Sequence, residues 1–365
     1  MSAFDIAVVG GGIMGCGTAL RVAEGGMRAI VIEQGDLGQG ASGVNAGTLS
    51  LQIKRVKLME YAVRGHREWQ RMGEAVGFHK TGGYSLAFTD REAGLLQERM
   101  ELKRQAGAPI VFRSPAELRR DEPGLSHKVM AASFCSEDGF ADSSLTGRYY
   151  RTALTQAGVT WRERSPVVAI DRAEGGFVLQ AGGEPVFARR LLLACGGWMQ
   201  GLAAKLDVRL PLRVRVNTVS VTERGPRLIG TVIGHATGLL TMKQKPNGTL
   251  LIGGGWQGTG RPEQGPGRVA TDSLLTNLQL ARHALPALGG WRIVRSWTGY
   301  EVNTPDFYPL AGHMPGMDNL FVLGGVRGGY TIGPYISRLM GDYILGREPE
   351  LPLFDPARNF SEEQS

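Results

Sequence analysis

Three glycines and one carboxylate near the N-terminus are spaced as a bound dinucleotide requires. Gly10, Gly12 and Gly15 directly follow an apolar run, and Glu33 ends a second apolar run. Gly10 permits a tight turn, Gly12 lets a pyrophosphate approach the backbone, and Gly15 allows a helix to pack closely on a strand. The helix N-terminus then offers N–H groups to the phosphates. Glu33 can accept hydrogen bonds from a ribose diol and would repel a 2′-phosphate.

The elements around this motif have the order of a βαβ unit. A strand, Asp5–Val9, runs into the glycines, a helix-like stretch follows, and a second strand, Ala29–Ile32, ends on Glu33. In a chain with 54 glycines a lone glycine motif is weak, but the strand, helix and acidic residue together are specific. We therefore expect a dinucleotide-binding domain. By itself the unit fits NAD as well as FAD, and Glu33 disfavours NADP.

Composition and charge narrow the class of protein. With 365 residues, 42% hydrophobic and 21% charged, the chain can form two domains of a globular enzyme. The net charge of +7 suits anionic substrates, but the arginines are scattered and no nucleic-acid motif occurs, so we expect no nucleic-acid partner. No apolar run reaches the length of a membrane span, and the apolar N-terminus fits a strand better than a signal peptide.

The three cysteines argue against metal and disulfide chemistry. Cys16, Cys135 and Cys195 are far apart, and no CxxC pair or Cys/His cluster occurs. We expect all three to be buried as small apolar residues, with no metal site. The odd number and wide spacing predict a reducing compartment and a cytoplasmic location.

The remaining pattern predicts a discontinuous nucleotide domain. Continuous apolar runs within Arg190–Trp198 and Asn319–Leu323 are typical of central parallel strands, whereas Pro211–Thr222 and Gly248–Gly253 suggest an antiparallel sheet. Helices are predicted at Arg55–Val76, Arg91–Gly107, Ser143–Gly158, Asp272–Leu285 and Tyr330–Leu345. The predicted fold class is α/β, a Rossmann-type domain with an inserted α+β substrate domain built on an antiparallel sheet. The predicted boundaries are 1–80, 145–215 and 310–365 for the first domain, and 81–144 and 216–309 for the second.

The ordered set of motifs resembles the FAD-dependent amine and amino-acid oxidoreductases, the family of glycine oxidase, sarcosine oxidase and D-amino-acid dehydrogenases. The resemblance runs nearly the whole chain. It is carried in family order by VVGGGIMGCGTA with Glu33, ASGVNAGTLS, SPVVAI, LLLACGGW, WTGYEVNTPDFYPLAG and NLFVLGGVRGGYTIGP. The ASGVNAGTLS and C-terminal glycine segments favour FAD over NAD, since NAD enzymes have no use for both.

This resemblance implies non-covalent FAD, because no Cys follows Cys195 and no His lies between Gly35 and Ser50. The implied cofactor contacts are made by several short segments spread along the chain. They are Gly10, Gly12, Ile13, Met14, Gly15, Glu33, Gln34, Ser42, Ala46, Gly47, Thr48, Leu49, Val167, Ala194, Gly196, Trp198, Gly325, Arg327, Gly328, Gly329, Tyr330, Thr331 and Ile332.

The glycine-rich turn Gly324–Gly329 also has a physical reason to lie near a flavin. A glycine turn that opens a helix brings N–H donors and a positive dipole end together, which suits the N1–C2=O edge of the flavin. Arg327 could add a full charge there or bind a substrate anion. The alternatives are a tight connection for the turn and a surface salt bridge for Arg327.

The substrate side departs from the family pattern at Glu301. Several amino-acid oxidases of the family carry an arginine at the matching position, where it binds the substrate carboxylate. A carboxylate there would prefer an amine or guanidinium, unless Glu301 faces away and pairs structurally. Tyr300 and Tyr84 are further catalytic-site candidates, and His79, Asn303, Lys243 and Lys245 are secondary candidates that packing or solvation would equally explain.

The function implied by the resemblance is oxidation of a C–N bond of a secondary amine or amino acid to an imine. The substrate would be an N-alkyl amino acid, D-amino acid, imino acid or opine, and the step a hydride transfer to flavin N5. A stand-alone oxidase and a catalytic subunit of a hetero-oligomeric dehydrogenase fit equally. The alternatives are a non-catalytic flavin-binding electron-relay subunit and an NAD-dependent dehydrogenase.

Overall fold

The protein is described from a computed structural model, which covers residues 2–360. The chain divides into two compact units. Within the described residues, the first unit combines 2–44, 143–215 and 300–360, and the second combines 45–142 and 216–299.

Short strands and helices alternate along the described chain. The strands are β1 Ser2–Val9, β2 Ala29–Ile32, β3 Thr48–Leu49, β4 His79–Lys80, β5 Gly83–Ala87, β6 Ile110–Arg113, β7 Ala131–Cys135, β8 Gly139–Phe140, β9 Thr160–Arg162, β10 Val167–Ala173, β11 Gly176–Ala181, β12 Val186–Leu193, β13 Arg213–Arg224, β14 Val232–His235, β15 Thr241–Gln244, β16 Thr249–Gly253, β17 Ile293–Asn303, β18 Leu310–Met314 and β19 Met317–Gly324. The α-helices are α1 Ile13–Glu24, α2 Ala41–Val44, α3 Met59–Met72, α4 Asp90–Gln105, α5 Pro115–Asp121, α6 Thr146–Gln156, α7 Met199–Ala204, α8 Thr271–Ala284 and α9 Gly329–Ile344. Between residues 2 and 360 there is no helix both long enough and apolar enough to cross a membrane.

The first unit is built on a parallel sheet. Its parallel strands have the order β19-β12-β1-β2-β9, with Ile6 opposite Ala29 on β2 and Arg190 on β12. Strand β11 adds to β12 antiparallel, β10 adds to β11, and β18 pairs antiparallel with β19. Every residue of β2 is buried, as expected for a strand covered on both faces. The Rossmann-type prediction is thereby confirmed.

The first and last helices of this unit pack closely against each other. Gly17 permits the approach, because a Cβ there would lie 2.9 Å from the Cβ of Ser337. The Thr18 hydroxyl donates to the Ser337 carbonyl (3.3 Å), and Arg21 forms an ion pair with Asp342 (2.7 Å). Helices α1 and α9, which are far apart in sequence, therefore pack side by side in the first unit.

The second unit contains an eight-stranded sheet with the order β17-β13-β16-β15-β14-β5-β7-β6. Most of its pairs are antiparallel, as predicted, but β14 and β5 are parallel, which the prediction of an antiparallel sheet missed. A buried cluster that includes Leu86, Ile233, Met242 and Ile252 packs with residues of α8. A separate three-stranded sheet has the order β3-β8-β4.

The two compact units differ from the predicted domains at two places. Residues 45–80 lie in the second unit and not with the nucleotide domain, because Thr48 pairs with Phe140 in the small sheet. Residues 300–309 belong to the first unit, where the Thr304 N–H donates to the Gly325 carbonyl (3.1 Å). Residues 1 and 361–365 of the predicted first domain lie outside the described residues.

Candidate functional site

The N-terminal glycine turn connects β1 to α1 with little room for side chains. Gly10 has a φ of +112°, and a Cβ there would lie 2.5 Å from the Ala194 carbonyl oxygen. A Cβ on Gly15 would collide with the Gly10 carbonyl, and one on Gly12 would lie 3.0 Å from the Ser42 hydroxyl. Gly12 is the N-cap of α1 and has no side chain with which to cap this helix. The turn therefore presents backbone to a ligand, as a pyrophosphate requires.

The carboxylate of Glu33 lies beside this turn at the end of β2. One oxygen accepts a hydrogen bond from the Gly11 N–H (2.7 Å) and the other from the Gly35 N–H (2.8 Å). Gln34 is exposed, and the Ile13 N–H donates to the Ser42 hydroxyl (3.0 Å). The position of Glu33 fits the predicted ribose contact, which stays a prediction.

The end of β12 approaches the same turn. The Ala194 N–H donates to the Val9 carbonyl (2.8 Å), and Gly196, with a φ of +53°, opens a short 3₁₀ helix that ends at Trp198. The indole of Trp198 meets the ring of Tyr300 edge to face, with centroids 5.8 Å apart. The strand order thus brings Ala194 next to Gly10, and Gly196 and Trp198 follow it in the chain.

The C-terminal glycine loop connects β19 to α9. Gly328, the N-cap of α9, is left-handed with a φ of +67°, and no side chain on α9's own terminus caps it. Thr331 is buried, and its hydroxyl has no hydrogen-bond partner in the described part of the chain. A Cβ on Gly329 would lie 3.1 Å from the end of Met14, so this loop approaches the first turn of α1. Tyr330 contacts Thr146 through the two hydroxyls (3.3 Å).

Glu301 lies against this loop. Its carboxylate accepts a hydrogen bond from the Gly328 N–H (2.7 Å). A carboxylate at a helix N-terminus is favourable, because the free N–H groups and the dipole both attract negative charge. The structure therefore gives Glu301 a positioning contact that the sequence could not show, and Arg327 is exposed one residue before Gly328.

Sequence reasoning missed Arg215, which lies near Glu301 and Arg327. Arg215 is half-buried in β13, and its buried Nε has no hydrogen-bond partner within residues 2–360. Burial and the charge of Arg327 lower the pKa of Arg215, while Glu301 acts in the opposite direction. The one feature of the sequence that could have pointed to Arg215 was the alternation of arginines at 213 and 215 with apolar residues in a predicted strand.

The predicted residues Ala46, Gly47, Thr48 and Leu49 belong to the second unit. Gly47 has a φ of +73°, and its N–H donates to the Asn45 side-chain oxygen (2.6 Å). Thr48 and Leu49 then form β3. Their predicted contact with FAD stays a prediction.

Lys243 is the most deeply buried lysine of the described chain, with 1% of its surface exposed. Its ammonium donates to the Thr48 hydroxyl (2.6 Å). Burial, and then the charge of Lys245, lower the pKa of Lys243 to about 7. Lys245 itself pairs with Asp142 (2.6 Å). The two secondary candidates are therefore very different groups: one titrates near neutral pH and the other is an ordinary ion pair.

A buried polar cluster around Asp138 was also missed, because the segment SEDGF has only the appearance of a turn. The Asp138 carboxylate accepts from the Ser50 hydroxyl (2.5 Å) and the Leu51 N–H (2.8 Å). Burial raises the pKa of Asp138 to about 6, although these hydrogen bonds oppose the rise. A cavity of about 10 Å³, lined in part by Gln52 and Tyr84, adjoins the cluster and has room for about one water.

The other pocket candidates have structural contacts. Tyr84 is buried in β5 and donates from its hydroxyl to Asp121 (2.7 Å); burial and this bond raise its pKa. His79 is exposed in β4 against Phe140. Asn303 is buried at the end of β17. Val167 pairs with Ala181 at the start of β10. Tyr84 and His79 are in the second unit, and Asn303 and Val167 are in the first.

The residues of the first unit fit FAD. The glycine N-cap of α1, the Cβ-free surface of Gly10 and Gly12, and the hydroxyl of Thr331 that lacks a partner in the described chain are all features that a long, phosphate-bearing cofactor would use. No group of acidic, histidine and cysteine side chains in the described range could hold a metal ion.

Comparison with known proteins agrees with this geometry. The family model DAO, FAD dependent oxidoreductase, matches residues 5–343. An opine oxidase subunit from Rhizobium meliloti is 28% identical over 99% of each chain, and glycine oxidase from Geobacillus kaustophilus is 28% identical over 96% of this chain and 95% of its own. The crystal structure of glycine oxidase from Geobacillus kaustophilus superposes with a TM-score of 0.90 at 25% identity, covering 99% of this chain and all of that one. Because the family match spans 5–343 of 365 residues, the chain belongs to the DAO family of FAD-dependent oxidoreductases.

Proposed function

We propose that the protein oxidises the C–N bond of a secondary amine or amino acid to an imine, which water then hydrolyses. The observation that carries the proposal is the charged set beside the C-terminal glycine loop: Glu301 bound to the Gly328 N–H, with Arg215 and Arg327 nearby. Such a set suits a small zwitterionic substrate. The names of two relatives that align over nearly their full length, an opine oxidase subunit and a glycine oxidase, support the same class.

The reaction removes a hydride from the carbon next to nitrogen and a proton from nitrogen. Bound FAD supplies the two-electron acceptor for this step. The protein's own residues orient the substrate and shape the electrostatics. The N–H groups at the start of α9 and the charge of Arg327 favour negative charge at the loop, and Glu301 fixes the loop by its bond to Gly328.

The first experiment is an anaerobic substrate screen of the purified holoprotein. We expect flavin bands in the absorption spectrum, and bleaching by at least one member of a panel of N-alkyl amino acids, D-amino acids, proline and opines. A protein without flavin bands would contradict the fit of FAD to the first unit. Bound flavin that no amine or amino acid bleaches would favour a non-catalytic electron-relay subunit.

A second experiment tests Glu301 directly. Glu301→Ala removes the acceptor of the Gly328 N–H, so flavin reduction by the best substrate should slow about tenfold or more, the effect of losing roughly 1.4 kcal/mol. Glu301→Gln is the matched control, since its amide oxygen can still accept that hydrogen bond, and it should retain more of the rate. Both variants should retain flavin. Unchanged reduction in both would assign Glu301 to structure alone.

We also propose that the chain works with a partner subunit. The support is that two relatives, each aligned over 99% of both chains, are named as one subunit of an opine oxidase. Reoxidation of the bleached protein by oxygen, compared with an artificial electron acceptor, tests this. Fast reoxidation by oxygen in the isolated chain would favour a stand-alone oxidase instead.

A further inference from the structure

Arg215 is a cation whose position the fold alone does not explain. It is half-buried, and its Nε is fully covered without a hydrogen-bond acceptor in the described chain. A covered polar N–H without a partner is costly, because it has lost its hydrogen bonds to water and gained none in return. A side chain retained at this cost beside a candidate substrate site suggests a ligand that supplies the acceptor.

Strand pairing brings Arg215 to Glu301. Strands β13 and β17 are neighbours in the sheet, and they run antiparallel, since Ser220 contacts Ser296 (2.9 Å) and the Glu223 N–H donates to the Arg292 carbonyl (2.9 Å). Counting back along β13 and forward along β17 from these two contacts brings Arg215 to the level of residues 300–301 on β17.

Positive charge exceeds negative charge around Arg215. Arg215 and Arg327 are two guanidinium groups, and within residues 2–360 the carboxylate of Glu301 interacts with Arg215. Glu301 also accepts from the Gly328 N–H. Arg213, on the same face, is exposed and has an interaction of its own. The complement of the remaining positive charge is an anion, and a guanidinium fork binds a carboxylate with two parallel hydrogen bonds.

We propose that Arg215 binds the carboxylate of the substrate, with Arg327 as the second positive charge. The carboxylate-binding cation is then on β13, the strand next to β17. Position 301 on β17 cannot bind a carboxylate, because its own side chain is acidic. This inference rests on the proposed function and narrows it: the substrate is an amine that carries a carboxylate, and a neutral amine is a poor substrate.

The test uses Arg215→Met, which retains length without charge, in the flavin-loaded protein. Acetate is the probe, and its binding is measured by the change it causes in the flavin absorption spectrum. We expect the Kd for acetate to rise about tenfold or more, a loss of roughly 1.4 kcal/mol. Arg224→Met, an exposed arginine at the other end of β13, is the matched control and should bind acetate as the wild type does.

A second readout compares substrates that differ only in charge. The best amino acid from the anaerobic screen is compared with its amide in rates of flavin reduction. Wild type should strongly prefer the acid, and Arg215→Met should lose most of that preference. Arg215→Lys should recover part of it, and this variant can also be tested if Arg215→Met fails to fold. Equal acetate affinity and equal preference in Arg215→Met and wild type would overturn the proposal, as would no response of the wild type to acetate.

The two readouts separate the failure of this inference from that of the proposed function. If no amine or amino acid reduces the flavin, the proposed function fails, and acetate binding still reports on Arg215. If amines reduce the flavin and Arg215→Met discriminates acid from amide as before, the assignment of Arg215 alone is wrong.

Discussion

Replacing Lys243 by methionine should change how the stability of the protein depends on pH. Lys243 has 1% of its surface exposed, and burial lowers its pKa from an ordinary 10.5 to about 7. Between these two values the unfolded chain binds a proton that the folded protein lacks. The free energy of unfolding should therefore rise with pH by about 1.4 kcal/mol per pH unit in this window.

The magnitude follows from the two pKa values. Below pH 7 the lysine is charged in both states, and its burial costs the folded state about 5 kcal/mol, since each pKa unit is worth about 1.4 kcal/mol. Lys243→Met removes this cost and loses the bond to Thr48, worth about 1 kcal/mol. We expect the variant to be more stable near neutral pH by several kcal/mol, with a difference that shrinks toward pH 10.

Urea unfolding of the holoprotein at several values between about pH 6.5 and 9.5 measures both curves. Lys205→Met is the control, because Lys205 is exposed in the first unit and its removal should leave the pH slope of the wild type intact. Parallel curves for wild type and Lys243→Met would refute the reasoning, since they would mean that Lys243 does not titrate in this window.

Three further changes test other parts of the molecule. Glu33→Gln points an amide N–H₂ at one of two backbone N–H donors, so the Kd for FAD should rise about tenfold or more in a titration of the apoprotein. Gly10→Ala should unfold the protein or lower its stability by more than about 2 kcal/mol in thermal denaturation, because φ is +112° and a Cβ would collide with the Ala194 carbonyl. Gly94→Ala in helix α4 is the control: nothing lies within 4 Å of its Cβ, so the protein should gain roughly 0.5–1 kcal/mol. Arg358→Met leaves the buried Asp306 carboxylate without its two guanidinium bonds (2.8 and 2.9 Å) and should cost about 3–5 kcal/mol at pH 7. Burial alone would raise the pKa of Asp306, but the bonds to Arg358 contribute to a net lowering. The loss of stability in Arg358→Met should therefore fade as the pH falls below about 4, where the unfolded carboxyl takes up a proton. A loss that is constant with pH would contradict this explanation.

The nucleotide half of the fold was predictable because its signals are local. Gly10 to Glu33 is one continuous stretch in which strand, turn, helix and acid follow each other, and each type has a backbone reason. The continuous apolar run of β12 likewise predicted a central parallel strand, which pairs with β1 and β19. The family resemblance extended this to FAD.

What the sequence could not supply was the orientation of side chains that long-range pairing decides. Glu301 was predicted as a substrate residue, yet its bond to Gly328 depends on how β17 lies against a loop 27 residues later. Arg215 was one of many scattered arginines until β13 and β17 were paired. Lys243 was predicted equally as a pocket residue and as a solvated strand end. Its burial follows from neighbours on β14 and β16 and from the side chain of Thr48.

The change of unit at residue 45, where the prediction placed the boundary after residue 80, escaped the sequence for a similar reason. The segment ASGVNAGTLS is continuous in sequence, but Ser42 contacts α1 and Thr48 pairs with Phe140, more than 90 residues away. A two-residue strand such as β3 has no periodicity of its own to detect. Short elements that exist only through distant partners therefore escape sequence patterns.

The packing of α1 against α9 has a consequence for synthesis on the ribosome. The glycine turn emerges first, but its strand β1 needs β12, and its helix α1 needs Ser337 and Asp342. The first unit is thus unfinished until α9 has been translated, and the inserted unit has emerged before that. Contacts so distant in sequence form slowly. The nascent chain should therefore complete its FAD-binding unit only after α9 has left the ribosome, and until then β1 and α1 lack some of their partners.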